Sequence, residues 1–388
     1  MKDDLFRGLD AIDWDNLTHA YGSAKDIPQL LRDLVSDDDE VSKQASYDSF
    51  GNIWHQGTIY EATTYAVPFL IKIVHQTQSL QRPHILMLLG EIATGYGQDK
   101  AIEAVRDGIL IYLELLTDED TVVRGEVGGL LSKLPLDVAQ SIHPLENAIR
   151  EEVVVSTKVS LIDSLAQLID KSNYDINLDQ YLTYFSELVR DSVPSVQLAS
   201  AMSLARLDGS NLDVKAIDIF MDGLAHPEKY SIQPETTSAR NYEAVEWLIY
   251  LIELLTRFDS RMMLSQIDNL LSEIDSKKSL LVRRQMHREI AEQMIISTFG
   301  IDVLKHYSWA SSQGHRTYYV LRKGDALSLS TPTWLKLNLL QHNTLKIIAK
   351  HDVFWDYETN LLAIHGLPQK REDLRKFLKS VNSVDSDL

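Results

Sequence analysis

Apolar residues at Ile59, Ala62, Ala66, Leu70 and Ile73 recur at steps of three and four, which draws one stripe down an α-helix. The same period runs along most of the chain, and strand-like alternation is almost absent, so the pattern predicts helix after helix. A short helix is expected near Trp14, then helices at about 24–36, 39–54, 58–76 and 82–96. Paired helices follow at about 99–116 with 119–134, 136–150 with 153–170, and 177–190 with 193–208. A longer loop near 227–239 precedes helices at about 240–256, 259–274 and 279–299, and helices resume at about 333–350 and 370–379. Tyr318-Tyr-Val-Leu321, within 316–323, reads as either a short strand or a loop, and the tail from Ser380 to Leu388 is expected to fray.

The stretch from Trp54 to Leu70 carries the densest local punctuation. Thr58 followed three residues later by Glu61 has the form of a capping box, and Gly57 ahead of it supplies a free turn. Pro68 falls inside the apolar stripe, where its missing N–H leaves the Thr64 carbonyl without its usual partner and predicts a bend. Asp37-Asp-Asp-Glu40 places acids at a helix N-terminus, where the dipole is positive, and Pro83 stands where a missing amide costs least.

The second helices of successive pairs look alike. Asp118-Glu-Asp-Thr-Val-Val-Arg124 and Asp191-Ser-Val-Pro-Ser-Val-Gln197 share an acidic start, a valine pattern and small residues beyond. Aligning Arg124, Lys158 and Gln197 gives spacings of 34 and 39 residues, which suits two-helix repeats joined by variable loops. Gly125, Gly128 and Gly129 cost helix propensity, so a packing reason is expected for them. With Pro28 and Pro68 in first helices and the Asp118 to Arg124 pattern in a second, the chain resembles the HEAT-repeat family over roughly residues 24–300. That resemblance implies an all-α fold, a right-handed α-solenoid of about seven antiparallel helix pairs. Residues 1–300 would form the repeats, and 301–388 a C-terminal capping section continuous with them. Trp54-His55-Gln56-Gly57-Thr58 through Pro68-Phe69-Leu70, with Asn360-Leu-Leu near Gly366-Leu-Pro368, also resembles a group of bacterial HEAT-like proteins, some associated with toxin immunity.

At 388 residues the chain is long for one core, which an array of repeats accommodates without a larger one. Its net charge of −18 argues for basic partners and against general affinity for nucleic acid. The charge is uneven: residues 1–50 hold twelve acids and five bases, whereas residues 277–350 hold twelve bases and four acids. No apolar run reaches the roughly 18 to 20 residues that span a bilayer, and Met1-Lys-Asp-Asp-Leu lacks the pattern of a signal peptide, so a cytoplasmic protein with no membrane partner is expected. Zero cysteines remove disulfides, thiolate nucleophiles and cysteine-ligated metals.

The twelve histidines include no His-Glu-x-x-His, and His287 with Glu289 and Glu292 does not fit one helical turn, so no metal is expected. The chain has no Gly-x-Ser-x-Gly elbow, phosphate loop or dinucleotide fingerprint; no cofactor and no enzymatic activity are expected. His55 and Gln56 lie between helices with Tyr60 close by, a place where stacked repeats present side chains to another protein; the other reading is that His55 caps the preceding helix or bonds a loop carbonyl. The reading is a protein-binding scaffold using the concave face and these loops, in its more specific form the neutralisation of a basic toxin domain. The alternative is a nucleic-acid-binding HEAT-like enzyme of the DNA glycosylase type. It would use a basic and aromatic patch of Arg283, Arg284, Arg288, Trp309, Arg316 and Tyr318.

Overall fold

The computed structural model describes residues 2–134, 138–172, 176–230, 267, 268, 290, 294, 295, 336–355, 362, 367, 368, 370–380 and 382–384. They are predominantly helical. The chain divides into two compact units, Met1–Asp179 and Gln180–Leu388. The expected domain boundary at 300 and most of the helices expected between 240 and 299 lie outside the described residues, as does the segment 316–323.

The first unit opens with α1 (Lys2–Leu5), a 3-10 turn at Trp14–Asn16 and a hairpin of β1 (Thr18–His19) with β2 (Gly22–Ser23). Helices α2 (Ile27–Asp33) and α3 (Asp39–Asn52) follow, then a second hairpin of β3 (Trp54–His55) with β4 (Thr58–Ile59). The remaining helices are α4 (Glu61–Gln76), α5 (Arg82–Ala93), α6 (Asp99–Asp107), α7 (Ile109–Leu115), α8 (Thr121–Leu131), α9 (Val138–Glu151) and α10 (Val155–Lys171). One row of helices is α3, α5, α8 and α10, each against the next; α4 packs on α2 at one side and on α6 and α7 at the other. The stripe expected for α4 is its core face, with Ile59, Ala62, Ala66, Leu70 and Ile73 all buried.

Three details differ from the expectation. The helix at 99–116 is two helices, parted at Gly108, where a Cβ would lie 2.6 Å from the Tyr112 hydroxyl and 3.0 Å from Ile71. Thr58 is strand rather than cap, and α4 begins at Glu61. Tyr60 is the N-cap, its N–H donating to Thr63 Oγ1 at 2.9 Å while the Thr63 N–H donates back to the Tyr60 carbonyl at 3.1 Å. Of the α8 glycines, Gly128 meets the packing expectation, since a Cβ there would stand 2.7 Å from Leu161 of α10; Gly129 has nothing within 4 Å.

Three residues ahead of five helices, a side-chain oxygen accepts the amide two residues on. Ser36 takes Asp38 at 3.1 Å, Ser79 takes Gln81 at 3.2 Å, and Asp118 takes Asp120 at 2.9 Å. Glu152 takes Val154 and Asp191 takes Val193, both at 2.8 Å. Such local bonds occupy amides that the coming helix cannot satisfy. Their spacings are 43, 39, 34 and 39 residues, and the helices they announce are α3, α5, α8, α10 and α12 (Pro194–Asp208). Arg124, Lys158 and Gln197 each donate to the carbonyl six residues back, at 2.6, 3.3 and 2.6 Å, so the residues aligned by sequence occupy one recurring structural position.

In the first unit these turns are also cross-linked. Arg82, almost fully buried, gives its Nε–H to the Val74 carbonyl at 2.8 Å and its two terminal nitrogens to Asp118. Arg124 in turn grips Glu152 through bonds of 2.7 and 2.9 Å. Burial alone would raise the pKa values of Asp118 and Glu152, but the hydrogen bonds from Arg82 and Arg124, the nearby amides and the arginine charges outweigh it and hold both below the usual carboxylate range. A depressed folded-state pKa contributes stability that is complete above the unfolded value, about 4 for carboxylates, and is lost as pH falls through the folded value. The first unit should therefore hold its urea midpoint from neutrality down to about pH 5 and lose it steeply below about pH 4. A midpoint unchanged at pH 3 would contradict this assignment.

The second unit holds α11 (Leu178–Leu188), whose first residues belong to the first unit, with α12 and α13 (Val214–Ala225), which pack together. Near the C-terminus, α14 (Leu339–Lys350) packs on α15 (Arg371–Ser380). Here the expected fraying is corrected for three residues of the tail: β6 (Asn382–Val384) pairs in parallel with β5 (Lys336–Asn338), the strand that leads into α14.

Candidate functional site

Three connections between helices of the first unit meet at one edge. In the second hairpin, Trp54 pairs with Ile59 and His55 with Thr58, leaving Gln56-Gly57 as the turn. Their φ values are +50° and +91°, the two positive angles that a type I′ turn requires. Gly57 takes its angle freely, and the space where a Cβ would stand is closed by the Tyr96 ring at 3.0 Å. Gln56 is the one described non-glycine residue with positive φ, and it stands exposed at the tip.

Tyr96 joins this hairpin by a single parallel bridge. Its N–H donates to the Gly57 carbonyl and its carbonyl accepts the Ile59 N–H, both at 2.9 Å. The first hairpin lies alongside, tied to the end of α3 by the Ala20 N–H on the Asn52 carbonyl at 3.0 Å. Buried His19 braces it: Nδ1 accepts the Tyr21 N–H at 3.0 Å, so Nε2 carries the proton and donates to Asp26 at 2.9 Å. Asp26 also accepts from Asn52 at 3.0 Å, which joins the start of α2 to the end of α3.

On this framework stand Tyr21 and Tyr96, 70% and 64% exposed, with half-buried His55 and Tyr60 between them. The His55 ring meets Tyr21 edge-on at 5.6 Å and hydrogen-bonds to nothing among the described residues, so it neither caps α3 nor holds a loop carbonyl. Burial, and then the phenols of Tyr96 and Tyr21, push the Tyr60 pKa up, so its hydroxyl keeps its proton at physiological pH. Trp54 is half-buried and packs edge-on against Phe50 at 6.2 Å.

The structure thus brings His55, Gln56 and Tyr60 together and adds Tyr21 and Tyr96, which the sequence reading passed over. A signal for them existed. Thr18-His19-Ala-Tyr-Gly22 repeats the hydroxyl- and histidine-bearing turn of Trp54-His55-Gln-Gly-Thr58, and Gly95-Tyr96-Gly97 brackets an aromatic residue with glycines. The alternative patch of Arg283, Arg284, Arg288, Trp309, Arg316 and Tyr318 lies outside the described residues. Among the described residues no group of three or more metal-ligating side chains comes together, and no helix is long and apolar enough to cross a membrane.

No protein-family model matches the chain, and no curated protein matches it either. Two crystal structures of engineered proteins are similar to it. One is 17% identical, covers 69% of this chain and 95% of its own, and has a TM-score of 0.28. The other is 15% identical, covers 92% and 98%, and has a TM-score of 0.34. Likeness at this level extends to neither function nor a shared fold.

Proposed function

We propose that this chain is a non-enzymatic protein-binding protein of the cytoplasm, built as a right-handed HEAT-like α-solenoid with a C-terminal cap, and that it engages a basic protein through the hairpin edge of its first unit. In its most specific form the partner is a toxin domain that the chain neutralises. The observation that carries the reading is the presentation of Tyr21, His55, Tyr60 and Tyr96 on paired, hydrogen-bonded connections rather than in a core. Tyrosine supplies large contact area at low entropic cost, and aromatic residues dominate the energetics of protein interfaces. The recurring turn ahead of five helices supports the repeat architecture, because a stack of similar units would reuse one capping device. The net charge of −18 would speed association with a basic partner.

The test is capture of partners from cells by the wild-type chain and by His55→Ala/Tyr60→Ala, with far-UV circular dichroism to verify folding. Partners retained by the wild type should be lost by the variant, and a partner set identical in kind and amount would overturn the assignment of this edge.

A further inference from the structure

We propose that Tyr21, Tyr60 and Tyr96 receive the ammonium or guanidinium group of a lysine or arginine from a basic protein segment, with Glu61 as the counter-charge. This rests on the protein-binding reading and names the chemistry of the group that enters.

The placement follows from the backbone. Tyr96 is bridged to Thr58 and hydrogen-bonded to Ile59, Tyr60 is the next residue along, and Tyr21 sits on the neighbouring hairpin against His55. Tyr21 and Tyr96 are largely exposed, and among the described residues none of the three tyrosine rings stacks on another. The negative face of an aromatic ring attracts a cation, and among the described residues none of the chain's own cations fills the role here. Its cation–ring contacts among the described residues lie elsewhere: Arg32 on Phe6, Lys72 on Phe69 and Lys229 on Tyr230.

The surrounding charge has the matching sign. Segments 13–26, 48–61 and 94–103 hold seven acids (Asp13, Asp15, Asp26, Asp48, Glu61, Asp99, Glu103) against two bases, Lys25 and Lys100. Glu61 is exposed at the start of α4 and accepts the Thr18 hydroxyl at 3.4 Å, which sets its carboxylate between the first hairpin and Tyr60. Aromatic faces beside a lightly engaged carboxylate favour a cation over a neutral chain of the same length, which would gain the apolar contact alone.

The experiment titrates the full chain with a fluorescent octapeptide of alternating alanine and lysine, and with its twin in which norleucine replaces lysine, at low salt. The lysine peptide should bind and the norleucine peptide should bind at least about ten-fold more weakly. Tyr21→Leu/Tyr96→Leu should weaken the lysine peptide about ten-fold, whereas Tyr21→Phe/Tyr96→Phe, which keeps the ring faces, should stay within about two-fold of wild type. Each variant is first shown to melt with the wild type. Equal binding of the lysine peptide to the leucine variant and the wild type would overturn the proposal, as would equal binding of the two peptides. If it is overturned while His55→Ala/Tyr60→Ala still loses a captured partner, the edge binds protein by other contacts. Tyrosine-dependent lysine binding with no partner lost by that variant would leave cation capture standing and remove the broader reading.

Discussion

Replacing Arg82 by methionine is expected to cost the first unit about 3–5 kcal/mol, because it removes one half of a buried, hydrogen-bonded ion pair and leaves the other. The Arg82 and Asp118 side chains are only 3% and 14% exposed, and Arg82 also satisfies the Val74 carbonyl. The change thus strands a carboxylate and a backbone acceptor together, and a stranded polar group costs more than its hydrogen bond contributed. Asp118 organises the turn into α8 through the Asp120 amide and meets Arg124 through its own carbonyl, so loss should spread along the edge rather than stay at one residue. Arg82→Met with Asp118→Leu should recover part of the loss and not all, since the Asp120 amide then lacks its acceptor. Urea denaturation read at the first unfolding transition measures both. A loss under about 1 kcal/mol for Arg82→Met would place the pair with solvent-screened surface bridges and contradict this account.

Gly97→Ala is expected to be nearly as severe, for a different reason. Its φ of +121° is one that L side chains rarely adopt, and a Cβ there would fall 2.7 Å from the Ile59 carbonyl oxygen. The obstacle is backbone, so no side chain can turn aside. Strain of about 1–3 kcal/mol adds to overpacking of similar size. Tyr96 lies next in the chain, and its two bonds to Gly57 and Ile59 hold it to the second hairpin, so the edge should lose shape along with stability. Gly129→Ala is the contrasting case: nothing lies within 4 Å of its Cβ, and in mid-helix alanine is better than glycine by about 0.5–1 kcal/mol. Thermal melts of the two variants should therefore shift in opposite directions.

The contrast between those glycines shows what the residues alone reveal. The 3.6 period located nearly every described helix, and the alignment of Arg124, Lys158 and Gln197 found a recurring structural position. Both are local, repeated signals. The hairpins were not legible because strands of two residues carry no period, and Thr58 with Glu61 satisfies the capping-box pattern while its backbone pairs with His55 instead. Asp208-Gly-Ser-Asn-Leu-Asp213 has the composition of a loop, which concealed α13 behind it; Asp213 is in fact its N-cap, accepting the Ala216 amide at 2.7 Å. Tyr21 and Tyr96 come to the site only through backbone hydrogen bonds between distant connections, and no periodicity registers that. The binding candidates His55, Gln56 and Tyr60 were visible because they are neighbours in the chain.

The central claim is that the hairpin edge, and not the helical rows, meets the partner. It is tested most directly by the affinity of a captured partner for three chains: wild type, His55→Ala/Tyr60→Ala, and Leu110→Ala, which alters an exposed apolar residue on α7. The account predicts that the edge variant weakens binding ten-fold or more, about 1.4 kcal/mol or above, while the α7 variant binds as wild type does. Equal affinity for the wild-type chain and the edge variant would contradict it.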